Sequence, residues 1–300
     1  MARKGPAGPG GLIVVDKPAG RTSHDVVGAV RRIAGTRRVG HAGTLDPMAT
    51  GVLVIGVERA TRLLNHLVLT DKGYTATVRL GAATSTDDAQ GELLGQADAS
   101  GLDPAAIRAG LAGLTGEILQ RPSAVSAIKV DGRRAYDRVR AGEQVELAAR
   151  PVTVHRLALL SEPEYLDGYC DISVEVDCSS GTYVRALARD LGEQLGVGGH
   201  LTALRRTRVG PFGLDRALTL DQLSELADPV TLPLPAAIAA AMPTRQLTES
   251  EARELSFGRP VAAAGIAGTY GGIAPDGTAV ALLAEADEQA RPVLGFTPAG

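Results

Sequence analysis

Arg38-Val39-Gly40-His41-Ala42-Gly43-Thr44-Leu45-Asp46-Pro47-Met48-Ala49-Thr50-Gly51 is the stretch around which the chain is organised. It combines three glycines, a proline and small polar residues between two apolar segments, which predicts a long loop. Glycine permits close backbone approach and positive φ. Pro47 fixes a turn and keeps Asp46 out of helical geometry. The expected result is one carboxylate on a stiff loop, with His41 and Arg38 close by. On composition alone, an ordinary Asp-Pro turn explains the stretch equally well.

Upstream, Gly11 to Asp16 reads as a short buried strand and Lys17 to Gly20 as a turn. Ser23 reads as the N-cap of a helix whose Val26, Val27, Val30 and Ile33 recur at helical spacing. Arg31, Arg32, Arg37 and Arg38 crowd its C-terminal end, where cations suit the helix dipole. Downstream, Val52 to Val57 is a second buried strand and Ala60 to Leu69 a second helix.

Lys72 to Gly81 alternates as a half-buried strand. Thr84 to Gly91 is a polar loop whose Asp87-Asp88 pair reads as a turn rather than a cation site. Asp103-Pro104 opens a helix running to about Gly113. Ser126 to Val130 reads as a strand, Asp131-Gly132 as a tight turn and Arg133 to Arg140 as a basic helix. Val152 to Leu160 and Tyr169 to Val176 are strands. Gly181 to Arg185 leads into a helix over Ala186 to Leu195, closed by glycines, and Leu201 to Val209 is a further strand. Residues 228–243, rich in Pro and Ala, read as a linker or domain-edge segment. The tail from about residue 246 alternates turns with short strands, as in a small β-rich appendage. Strands and helices without a regular βαβ rhythm predict an α+β fold with a mixed or antiparallel central sheet.

The chain has 300 residues, 44% of them hydrophobic and 22% charged, so it is globular. Residues 1–10 read as a disordered lead, 11–243 as the main domain and 244–300 as the appendage. No signal-peptide pattern opens the chain and no apolar run is long enough to span a bilayer, which predicts a cytoplasmic protein away from membranes. Cys170 and Cys178 read as ordinary core thiols. Net charge is -3, yet residues 1–66 hold ten Lys/Arg against four acids while residues 246–300 hold three against seven. That asymmetry fits phosphate binding on one face. Neither a Gly-x-Gly-x-x-Gly after a strand nor a phosphate-cradling Gly-Lys-Ser/Thr loop is present, so nucleotide-cofactor chemistry loses its main support.

Four stretches then stand together in one order. They are Leu12 to Ser23 (Leu-Ile-Val-Val-Asp-Lys-Pro-Ala-Gly-Arg-Thr-Ser), Gly40 to Gly51, Asp71-Lys72-Gly73-Tyr74, and Ser180 to Gly192 (Ser-Gly-Thr-Tyr-Val-Arg-Ala-Leu-Ala-Arg-Asp-Leu-Gly). In that order they closely resemble the bacterial tRNA pseudouridine synthase B (TruB) family, over roughly residues 11–245. The tail more weakly resembles the shortened PUA-like domain of actinobacterial members. The resemblance implies isomerisation of the uridine at position 55 of the tRNA T-loop. The C1′–N1 bond breaks, the uracil turns, and C5 rejoins C1′, with no metal, cofactor or obligate protein partner and with the enzyme acting as a monomer.

One carboxylate suffices for that chemistry, as nucleophile or base. By matching position it is Asp46, with Arg185 as its cationic companion and Tyr74 stacked on the uracil. Leu204 packs against the base, and His41 fills the space that the flipped uridine vacates. Lys17, Arg38, Thr44, Lys129, Tyr183, Arg205 and Arg206 are the remaining expected RNA-binding positions, joined by Arg31, Arg32, Arg37 and Arg133 as phosphate contacts. For Arg185 the plain alternative is a helix-surface cation, for Tyr74 a packed strand tyrosine, and for Leu204 a core leucine. Ser180 and Val125 depart from the family pattern at peripheral positions. Two rival functions stay open: an RNA-binding module without catalysis, and a carboxylate glycosidase, which ordinarily needs two acids.

Overall fold

The computed structural model describes residues 10–123, 129–130, 133–134 and 147–297. The chain runs β1 (Gly11–Lys17), α1 (Ser23–Ile33), β2 (Val39–His41), β3 (Thr50–Val57), a 3-10 turn over Glu58–Arg62 and the short α2 (Leu64–Val68). β4 (Lys72–Leu80), β5 (Ala82–Thr84), β6 (Leu93–Gln96), α3 (Pro104–Gly113), β7 (Gly116–Gln120), β8 (Lys129–Val130) and β9 (Arg133–Arg134) follow. Next come β10 (Arg150–Leu159), β11 (Glu164–Leu166), β12 (Tyr169–Cys178), α4 (Val184–Gln194), β13 (Gly199–Val209), β14 (Phe212–Gly213), α5 (Leu220–Glu225), β15 (Leu232–Pro233) and α6 (Leu234–Ala241). β16 (Thr244–Gln246), α7 (Glu249–Ser256), β17 (Val261–Ala262), β18 (Tyr270–Ile273), β19 (Ala279–Ala286) and β20 (Gln289–Gly295) complete the chain. The fold is α+β, as expected.

Internal contacts divide the chain into two units. The first comprises residues 1–47, 51–68 and 210–300, the second residues 48–50 and 69–209. In the first, β1 lies antiparallel between β15 and β3, and β2 pairs with β3 on the hairpin side. Leu12, Ile13, Val14 and Val15 are all buried. Both faces of β1 are covered, which is why its sequence is a continuous apolar run rather than an alternation. The same unit carries a second sheet in the order β16-β18-β19-β20-β17, with β16 and β18 parallel. Leu247, Leu255, Tyr270, Val280 and Leu283 form its own core.

In the second unit β4 lies antiparallel between β12 and β13, and β10 pairs with both β12 and β7. β12 alternates strictly, burying Cys170, Ile172, Val174, Val176 and Cys178. Both thiols are buried and unbonded. The register sets Tyr74 opposite Val176 on one side and Arg206 on the other. α4 packs on β13 through its buried face.

Several local expectations change. The cap of α1 is Thr22, not Ser23: Thr22 Oγ1 accepts from the Asp25 N–H while Asp25 accepts from the Thr22 N–H, a reciprocal capping box. The helix expected over Ala60 to Leu69 breaks into the 3-10 turn and α2. The stretch 228–243, expected as a linker or domain-edge segment, is no bare linker: it builds β15 and α6, which buries Leu234, Ala237 and Ile238 behind prolines at its first turn. The tail holds an unforeseen helix, α7, started by a Thr248/Glu251 capping box. Arg133 and Arg134 are strand, pairing with Lys129 and Val130. The rest of the expected basic helix, the Asp131-Gly132 turn, Val125 and residues 1–9 of the expected lead lie outside the described residues.

α4 approaches the start of β13 at Gly192. A Cβ there would lie 2.1 Å from the Gly199 nitrogen and 2.2 Å from the Gly198 carbonyl carbon. Backbone cannot yield as a side chain can, so Gly192→Ala is expected to lower stability by about 1–3 kcal/mol. Urea denaturation checks this, and an unchanged midpoint would contradict the packing.

Candidate active site

The Asp46 loop joins β2 to β3 and is held on both sides of Asp46. Ser23, fully buried, accepts the Leu45 N–H at 2.9 Å and donates its hydroxyl to the Leu45 carbonyl at 3.1 Å. One side chain therefore satisfies both backbone groups of the residue before the carboxylate. After it, Pro47 receives the Gly20 N–H at 2.8 Å and the Lys17 ammonium at 3.2 Å. Lys17 also donates to the carbonyls of Pro18 at 2.9 Å and Arg21 at 2.7 Å. Ala42 N–H donates to the Val54 carbonyl at 2.9 Å, closing the start of the loop. Asp46 itself is half-buried and Thr44 exposed.

Lys17 was expected to bind RNA. It is 0% exposed, and its donors go to three carbonyls of the β1–α1 turn and the loop. These bonds tie the β1–α1 turn to the loop.

His41 leads into the loop, and its ring meets that of His24 edge to face at 5.7 Å. α1 brings His24, which lies on a different segment of the chain, alongside it. Among the described residues no group of three or more His, Cys, Asp or Glu is placed to hold a metal. Arg31, Arg32, Arg37 and Arg38 are exposed, and Arg31 also donates to the Val39 carbonyl at 3.3 Å.

In the second unit Tyr74, Leu204 and Arg206 lie along one buried row of β4 and β13, with Tyr74 7%, Leu204 7% and Arg206 1% exposed. Arg206 is thus buried within its unit. Arg205 is half-buried and donates to the Thr50 hydroxyl at 3.3 Å. Arg185, at 3% exposure, is not a surface cation. Its Nη1 donates to the Thr86 carbonyl at 2.7 Å, and its Nε lies 3.7 Å from Asp88 Oδ2. Asp88 in turn accepts from the Thr86 hydroxyl at 2.6 Å and the Gln90 N–H at 3.0 Å. A buried ion pair survives only when its remaining lone pairs are satisfied in this way.

The neighbouring Asp87 meets Arg189, one helical turn beyond Arg185, at 3.2 Å. The acid pair is a turn, as expected, but it grips two arginines of α4. Tyr183 caps that helix, and the fully buried Gln120 accepts its N–H at 2.8 Å and donates to its carbonyl at 3.1 Å. Arg150 stacks over the Tyr183 ring at 5.2 Å. Ser23, Asp88 and Gln120 are the site residues that sequence reading missed. For Asp88 the signal was an acid pair within a Thr/Ser-rich loop, and for Gln120 none was visible.

Two groups beside this row titrate abnormally. Burial, reinforced by repulsion from Arg206, lowers the Lys72 ammonium to about 8. Burial raises the Cys178 thiol to about 11.

A chain in the structure of an H/ACA RNP bound to a substrate RNA containing 2′-deoxyuridine superposes with a TM-score of 0.72 at 25% identity, covering 96% of this chain and 86% of that one. A chain of a Cbf5-Nop10-Gar1 complex gives 0.72 at 27%, covering 96% and 85%. Three family models match in succession: TruB family pseudouridylate synthase (N terminal domain) over residues 31–184, tRNA pseudouridylate synthase B C-terminal domain over 185–231, and tRNA Pseudouridine synthase II, C terminal, over 242–297. The α+β fold is that of a pseudouridine synthase, an RNA-modifying isomerase.

The tRNA pseudouridine synthase B of Arthrobacter sp. (strain FB24) is 59% identical over 298 residues, 96% of this chain and 97% of that protein. That of Thermobifida fusca (strain YX) is 56% identical over 289 residues, 95% and 98%. The chain belongs to the TruB family of pseudouridylate synthases.

Ser23→Ala leaves the buried Leu45 N–H without its acceptor, a cost of about 1–3 kcal/mol. Faster amide exchange at Leu45 is the expected result, and unchanged protection would contradict the clamp. For Lys72, the unfolded chain holds its proton to a higher pH than the folded chain. Stability should therefore rise with pH between about 8 and 9, by at most about 1.4 kcal/mol per pH unit. Above about 9 the Cys178 thiol, ionising first in the unfolded chain, opposes the rise. Lys72→Met should abolish the gain between pH 8 and 9 in denaturant titrations.

Proposed function

We propose that the chain converts the T-loop uridine (position 55) of tRNA to pseudouridine, with Asp46 as its essential carboxylate. The observation that carries the reading is the clamp on both neighbours of Asp46. Seryl and lysyl groups buried in the β1–α1 segment determine where the backbone on each side of one carboxylate lies. A catalyst needs its reacting group held to within a fraction of an ångström, and such a clamp serves that purpose.

The C1′–N1 bond breaks, the uracil turns, C5 bonds to C1′, and the proton leaving C5 is matched by one gained at N1, so the product is an isomer. Asp46 takes part either as nucleophile at C1′ or as base at C2′, and both routes require it ionised. Tyr74 stacks on the uracil and exchanges the C5 proton, Arg185 supplies positive charge, and Leu204 packs against the base. The target base must leave its stack at a cost of a few kcal/mol, and His41 occupies the vacated place. Thr44, Lys129, Tyr183 and Arg205 contribute to RNA binding, and the exposed Arg31, Arg32, Arg37 and Arg38 hold phosphates. Lys17 and Arg206 act from within, Lys17 through the loop. Residues 11–243 form the catalytic domain and 244–300 a PUA-like domain. The enzyme works as a cytoplasmic monomer.

Asp46→Asn is expected to abolish pseudouridine formation while tRNA affinity stays within about tenfold, roughly 1.4 kcal/mol. Full activity in that variant would overturn the reading. Asp88→Asn removes the charge facing Arg185 and is expected to lower kcat at least about tenfold, with a smaller change in tRNA affinity. tRNA affinity should also fall steeply from low to moderate salt as bound phosphates release counterions, and a flat response would exclude the arginine surface.

A further inference from the structure

The β2–β3 hairpin has the Asp46 loop at its closed end. At its open end, where Val39 pairs with Val57, the first unit contains a cavity of about 610 Å³. The eight residues of β3 separate the two by roughly 20–25 Å. Arg38, Glu58, Arg59, Thr61, Arg62, Phe296 and Thr297 line this cavity. Three of the seven are arginines, and each has a different relation to its surroundings. Arg59 donates one N–H to the Phe296 carbonyl at 2.8 Å, and Arg62 one to the Gly295 carbonyl at 2.5 Å. A guanidinium has five N–H donors in a planar fork, so each contact orients the fork and leaves most of it for a ligand. Arg38 is exposed, with its Nη1 3.9 Å from Glu58 Oε2.

Glu58 is the unusual member. It is a non-glycine residue at φ 56, in the left-handed region. The Glu58 N–H donates to the Arg38 carbonyl at 2.8 Å, which holds that conformation. Its Oε1 accepts the Thr36 hydroxyl, but its buried Oε2 has no hydrogen-bond partner. The buried Thr297 Oγ1 also has none. Buried polar atoms ordinarily have a partner, and two orphans in one cavity ask for a ligand that supplies donors. The arginines ask for an anion. A bare phosphate satisfies the arginines and is repelled by the carboxylate. A ribonucleotide satisfies both, because its 2′-hydroxyl donates beside its phosphate.

We propose that this cavity is a second RNA-backbone subsite, in which the arginine forks hold a phosphate and Glu58 Oε2 accepts the 2′-hydroxyl of the adjoining ribose. The inference rests on the tRNA reading above and adds to it a contact well away from the reacting base. It also gives the end of β20, in an otherwise acidic tail, a part in RNA binding: the backbone there orients the arginines while its side chains contribute no charge.

The test uses the full chain and an unmodified tRNA transcript. Arg62→Ala is expected to weaken tRNA binding about fivefold and to lower the slope of log affinity against log salt by about one, with Arg62→Lys recovering part of both. Transcripts with single 2′-deoxy substitutions should show interference at a position outside the T-loop. That interference should vanish in Glu58→Ala, or in Thr297→Val if Glu58→Ala does not fold as judged by its thermal melt. Wild-type affinity and salt slope in Arg62→Ala, or no interfering position outside the T-loop, would overturn the proposal. Displacement of Arg62-dependent binding by millimolar uridine monophosphate alone would assign the cavity to a free nucleotide and also overturn it. A wild-type chain that forms no pseudouridine fails the tRNA reading itself, whereas normal product with an inert Arg62→Ala fails only this inference.

Discussion

The pair of hydrogen bonds between the buried Ser23 hydroxyl and the backbone of Leu45 is the constraint on which the candidate site depends. Together with Lys17 on the Pro47 carbonyl, it ties the first turn after β1 to the residues on each side of Asp46. A loop rich in glycine carries a large conformational entropy, and ordering it requires compensating contacts. The Ser23 contacts are polar and buried, so breaking either leaves an unsatisfied group away from water. The clamp therefore restricts the loop more sharply than apolar packing of the same size would.

The second unit solves a related problem with charge. Arg185 lies on α4 where burial would ordinarily exclude a guanidinium, and Arg189 beside it is half-buried. The turn containing Asp87 and Asp88 answers both, and that turn is itself fastened to β13 through the Leu201 N–H on the Asp87 carbonyl and the Ala89 N–H on the Leu201 carbonyl. Lys72, lowered to about 8, and Arg206 share the buried face with Tyr74, so the tyrosine sits among cations rather than in a purely apolar core. Such a setting favours negative charge developing nearby.

Much of this was legible in the residue pattern. The continuous apolar run of β1, the alternation in β4 and β12, and the Asp103-Pro104 start of α3 are local signals, and each element stands where its pattern placed it. The glycine- and proline-bearing loop around Asp46 was legible for the same reason. What failed was non-local. Ser23 looks like a helix cap to any reading confined to its neighbours, and only the fold shows its hydroxyl turned to Leu45 while Thr22 takes the cap. That Lys17 and Arg206 are buried was likewise not visible from their charge, because the covering elements are distant in the chain. Asp88 and Arg185 are far apart in the chain, so nothing in the sequence joins them. The Pro- and Ala-rich stretch before β16 resembled a linker because proline marks helix starts as readily as it marks loops.

On the proposed reading, the chain positions one carboxylate by buried hydrogen bonds and carries out a chemistry needing no second acid. The most direct measurement of that claim is nucleoside analysis of an unmodified tRNA transcript incubated with the purified chain alone. The account requires one pseudouridine per transcript, at the T-loop uridine, with no free uracil released. Free uracil, or a transcript whose T-loop uridine is unchanged, would contradict it.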